Sequence, residues 1–124
     1  MENKKDFEKI EMPILSQLSI LYELTHRLIL TFPKYERYSL GEKIQNAILV
    51  SIELSVIANG ANKFEKERVL QQLNAKIELL KVLFRTALNC KMIETQVYLE
   101  NSKRLQEIGK MTQGWVKYAK NMIQ

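Results

Sequence analysis

Lys103, Lys110 and Lys117 recur every seven residues near the end of this 124-residue chain. On a helix that spacing drifts by only ~20° per step, lining three ammonium groups along roughly 20 Å of axis. Lys81 and Arg85, four apart, share a face of the preceding helix. The chemistry open to such groups is electrostatic: phosphates or carboxylates held by charge and N–H donors. The lysine row lacks the interleaved acids of a salt-bridge lattice, and Glu107 is placed to pair with one member only. Such a row is either a solvated flank or a track for a polyanion.

Other chemistry lacks its parts. His26 is the only histidine and Cys90 the only cysteine, so one chain cannot assemble a zinc-type cluster. His26 falls at the edge of an apolar stripe, where a hydrogen-bonded boundary role is expected. No glycine-rich phosphate loop and no serine elbow occurs. Glu65 and Glu67 flank Lys66 at a helix start, where acids suit the macrodipole. No cofactor, no metal and no enzymatic activity is expected. The single cysteine suits a reducing compartment. The N-terminus reads as no signal peptide, and no run of about eighteen apolar residues is available to span a membrane. The cytoplasm is the expected location.

The length suits one domain with one core. Hydrophobic residues make up 46% of the chain, and a net charge of +5 favours polyanionic partners. With four glycines and two prolines, long elements are expected. Residues 1–12 read as a flexible segment and 13–122 as a single all-α domain. From Pro13, placed in a first turn, apolar spacing through Ile14, Leu18, Leu21 and Ile29 predicts a helix that Pro33 ends after Phe32. Ser39 is expected to cap a second helix, about Leu40 to Ile57, with Glu42 completing a capping box. Gly60 is expected to end it in the left-handed conformation. A third helix runs from about Phe64 to Leu88, a turn covers Asn89 to Met92, and a fourth runs from about Glu94 to Met122. Short connections predict an antiparallel up-down-up-down four-helix bundle.

Two features exceed what one bundle needs. The second helix is apolar over most of its circumference, leaving a narrow polar strip around Glu42, Asn46 and Glu53. Either it lies deep in the protomer or its second side packs on another copy; a four-helix bundle gives every member an outward side, so self-association is expected. Lys76 and Arg104 fall within apolar arcs, where they either snorkel to the rim or face a subunit junction. Gly109 and Gly114 each weaken an isolated helix by about 1 kcal/mol relative to alanine, which close helix approach or backbone access would offset.

The segment FPKYERYSLGEKIQNA, residues 32–47, resembles the characteristic stretch of the four helix bundle protein superfamily. That superfamily holds proteins encoded in 23S ribosomal RNA intervening sequences and the accessory variability determinants (Avd) of diversity-generating retroelements. IELLKVLFRTALNCKMI at 77–93 and LQEIGKMTQGWVK at 105–117 resemble the Avd third helix and ending. ILVSIELSVIANG lacks the proline and the acid before glycine that are usual in the intervening-sequence branch. The resemblance covers roughly residues 13–119 and favours Avd.

What the resemblance implies is a non-catalytic accessory subunit. Such proteins assemble as pentameric rings, bind a reverse transcriptase, and present basic surface to template RNA and cDNA. Matching the third-helix pattern gives Lys81 and Arg85 a basic role in that binding, and matching the ending gives one to Lys110 and Lys117. Lys103 joins them from the helical wheel alone. Phe32, Tyr35 and Tyr38 are expected to pin the FPKYERY corner with their rings. Lys34, Glu36 and Arg37 would pair with neighbouring helix ends or another subunit, or touch nucleic acid. Two rivals remain: a protein of the intervening-sequence branch, and a structural oligomeric module that recognises an acidic protein.

Overall fold

The computed structural model describes the backbone of residues 4–123 and the side chains of residues 13–123. Its elements are α1 (Lys4–Ile29), a short α2 (Lys34–Glu36), a π-helical turn (Arg37–Gly41), α3 (Glu42–Gly60), α4 (Lys63–Asn89) and α5 (Thr95–Ile123). No strand occurs among the described residues. α3 and α5 each pack on both α1 and α4, so the four long helices close into a ring of neighbours. Short connections reverse the chain each time, giving an antiparallel four-helix bundle. Ile14, Leu18 and Leu21 of α1 meet Ile44 and Ile48 of α3, Leu73, Ile77, Leu80 and Phe84 of α4, and Leu105 and Ile108 of α5 in one continuous core.

Helix α1 starts earlier than its proline suggests. Pro13 lies inside the helix, not in its first turn. It is exposed, and its missing N–H costs α1 one backbone hydrogen bond. Of the expected flexible segment 1–12, residues 1–3 lie outside the described residues.

The corner after α1 also departs from expectation. The Pro33 carbonyl accepts from the Glu36 and Arg37 amides, so helical winding begins at once and Ser39 falls inside it. No side-chain cap forms at that start, and the expected capping box does not exist. A π-turn at Arg37–Gly41 absorbs one extra residue before α3. Gly41 sits there for a steric reason: a β-carbon on it would stand 2.7 Å from Ile29 Cγ2 and 3.3 Å from the Glu36 carbonyl oxygen. Phe32 is buried, but Tyr35 and Tyr38 are 75% and 71% exposed, so only the phenylalanine pins the corner. Arg37 secures it differently, its Nε donating to the Phe32 carbonyl at 3.0 Å.

Helix ends are held by groups other than those expected. Gly60 is helical with no positive φ, and α3 stops as Ala61 turns extended. Asn62 then caps α4, its Oδ1 accepting from the Phe64 and Glu65 amides at 3.0 Å each. Lys66, only 8% exposed, sends its ammonium 3.4 Å from the Asn59 carbonyl at the end of α3. A cation there suits the negative end of the helix dipole. The left-handed residue is Lys91 (φ 61°). Met92 donates to Ala87 O and Lys91 to Leu88 O, the paired bonds of a Schellman close.

α3 turns small residues inward. Its buried positions are Ile44, Ala47, Ile48, Ser51, Ser55 and Ala58, while Leu49, Val56 and Ile57 stand outside, each about half exposed. The buried hydroxyls donate within the helix, Ser51 to Ala47 O at 2.8 Å and Ser55 to Ser51 O at 2.9 Å. The wide apolar arc is therefore not sealed inside the protomer.

Candidate functional site

A surface groove of about 570 Å³ runs between α4 and α5. Glu78, Lys81, Val82 and Arg85 form one wall; Tyr98, Ser102 and Gln106 form the other. Successive turns place these side chains together, because residues three and four apart share a helix face. Two of the expected site residues, Lys81 and Arg85, meet here.

Lys81 is half-buried, and its ammonium lies 3.0 Å from Glu78 Oε1. The stem reaches this position across α5 at Gly109, where a β-carbon would stand 3.6 Å from Lys81 Nζ and 3.8 Å from Ile77 Cγ2. Close helix approach therefore accounts for Gly109. Gly114 has nothing within 4 Å of its β-position and leaves bare helix backbone at the surface.

Arg85 acts on the opposite wall. Ser102, then Arg85, act as hydrogen-bond donors to the Tyr98 hydroxyl and pull its pKa below 10.0, and the Arg85 charge adds to this. Tyr98 and Ser102 went unnoticed in the sequence. The signal available was their register: 98, 102 and 109 lie at i, i+4 and i+11 on one side of α5.

Lys103, Lys110 and Lys117 are exposed and form no ion pair among the described residues. They do not line the groove. Their wheel positions put them on the outer flank of α5, roughly 60–100° beyond Ser102, so the row borders the groove's rim. Lys76 and Arg104 are half-buried and lie elsewhere. Arg104 joins Arg27, Leu24 and Val97 in a separate depression between α1 and α5.

His26 sits at the α1–α3 boundary, its Nδ1 3.1 Å from Gln45 Nε2 and its ring stacked 6.2 Å from that of Tyr22. Among the described residues, no three metal-ligating side chains converge and no helix is long and apolar enough to cross a membrane.

Neither the curated proteins nor the solved structures offer a match to this chain. One family model does match, described as bAvd-like, over residues 12–119. That span takes in α3 and α4 whole, most of α1 and α5, the FPKYERY corner and both walls of the groove, so the chain belongs to the bAvd-like family and is an accessory protein of the Avd type.

Proposed function

We propose that copies of this protein assemble into a ring, a pentamer by the family resemblance, and hold a reverse transcriptase together with template RNA and cDNA. The partner enzyme supplies the chemistry of mutagenic reverse transcription; this protein supplies position and charge. The observation that carries the reading is the α4–α5 surface: Lys81 and Arg85 within a groove, and Lys103, Lys110 and Lys117 exposed on α5. Repeating a +5 chain about a symmetry axis multiplies that field. Leu49, Val56 and Ile57 on α3 supply apolar surface suited to a second copy.

Binding of this kind is weakly sequence-selective and strongly salt-dependent, because phosphates carry charge and no sequence information. Neutralising Lys81, Arg85, Lys110 and Lys117 together should weaken RNA and DNA binding and flatten its salt dependence. An unchanged slope would move the surface elsewhere, and wild-type protein that retains no RNA at low salt would favour an acidic protein partner. Light scattering tests the ring: Val56→Lys with Ile57→Lys should lower the mass, and a monomeric wild type at micromolar concentration would remove it.

A further inference from the structure

The polar groups of the α4–α5 groove are unequal in kind. Lys81 and Arg85 are donors only. Tyr98 and Ser102 face Arg85 across the groove, and the Ser102 and Arg85 donors draw the Tyr98 pKa below 10.0. The one ionised acceptor on the walls is Glu78, and it is engaged with Lys81. Asn89 and Gln106 bring amides that both donate and accept, so the preference of this lining for an anion comes from Lys81 and Arg85.

We propose that this groove is a built seat for a single backbone phosphate, gripped by the Arg85 guanidinium and the Tyr98 hydroxyl, with Ser102 orienting the tyrosine and Lys81 held over Gly109 as the second cation. The inference rests on the nucleic-acid reading above and sharpens it from diffuse charge to a defined contact. A phosphodiester is favoured over a lone carboxylate by continuity with the rim. Lys103, Lys110 and Lys117 stand about 10 Å apart along α5, a spacing that serves a polymer of evenly repeated charges. Glu78 is then a resident competitor: the phosphate takes Lys81 from it.

Charge-neutral variants separate the seat from the field. Tyr98→Phe deletes the hydroxyl, and Ser102→Ala deletes its orienting partner; neither alters net charge. Binding of a labelled single-stranded oligouridylate to the intact protein, measured at two salt concentrations, should weaken roughly five- to tenfold for Tyr98→Phe, with the salt slope unchanged. Arg85→Gln should weaken binding and also lower the slope by about one. Glu78→Gln should tighten binding by up to about fivefold, since an exposed ion pair of this kind is weak. Saturating oligouridylate should also shift Tyr98 ionisation to higher pH, because phosphate opposes a phenolate in the groove that Arg85, Lys81 and Glu78 also line; this is read as the ultraviolet difference against Tyr98→Phe. If Tyr98→Phe and Ser102→Ala bind like wild type while Arg85→Gln is impaired, the seat is overturned and the diffuse basic surface stands. If wild type itself binds no RNA at low salt, the nucleic-acid reading falls and the seat falls with it.

Discussion

The ammonium of Lys81 rests 3.6 Å from where a β-carbon on Gly109 would stand, so a lysine of α4 lies directly against the backbone of α5. That distance is ordinary contact, which makes alanine acceptable and anything longer an intruder. Gly109→Ala should raise stability by up to about 1 kcal/mol in urea denaturation, the usual gain for removing a helical glycine, and leave RNA affinity intact. Gly109→Leu should expel the Lys81 stem and weaken RNA binding while far-ultraviolet dichroism stays helical.

Gly41 is the opposite case. A β-carbon there would fall 2.7 Å from Ile29 Cγ2, deep between α1 and the π-turn. Gly41→Ala should therefore destabilise by about 1–3 kcal/mol, the cost of overpacking a filled core, despite alanine's better helix propensity. Its midpoint in urea, set beside that of Gly109→Ala, gives the two signs in one experiment.

Lys91 and Gly60 have exchanged expected roles. The lysine carries the left-handed φ that closes α4, and the glycine sits in right-handed helix with open space at its β-position. Lys91→Gly should relieve about 1 kcal/mol of backbone strain. Gly60→Ala should contribute a gain of up to similar size at the C-terminal end of α3. The sites lie in different connections, so thermal denaturation of the double variant should show the two gains adding.

Two tyrosines titrate apart from the ordinary value of 10.0. Tyr98 ionises lower, because Ser102 and then Arg85 hydrogen-bond to its oxygen and Arg85 adds charge. Tyr35 ionises higher, because Glu36 first hydrogen-bonds to it and then repels the phenolate. The signs follow by linkage: the contribution of Tyr98 to stability is present above 10.0 and lost as pH falls through its folded value. That of Tyr35 is present below 10.0 and lost as pH rises through its folded value. In an alkaline ultraviolet titration, Tyr98→Phe should remove the early part of the curve and Tyr35→Phe the late part.

Helix number, order and antiparallel packing were legible in the residues, because an apolar period near 3.6 broken by Pro33, NGANK and NCKM leaves little freedom. The unusually apolar second long helix was legible too, as was the basic character of Lys81, Arg85 and the Lys103 row. The FPKYERY, IELLKVLFR and IGKM stretches carried the family. What the sequence could not supply was anything set by which helices become neighbours. Ser39 looks like a cap until Pro33 starts the winding early. Gly60 looks like a left-handed stop until Asn62 and Lys66 hold that connection instead. Tyr98 and Ser102 are unremarkable on α5 alone and join the site only because α4 brings Arg85 against them. Periodicity is a property of each helix by itself, readable from spacing; a groove is a property of two helices at a given rotation and distance, and packing decides both.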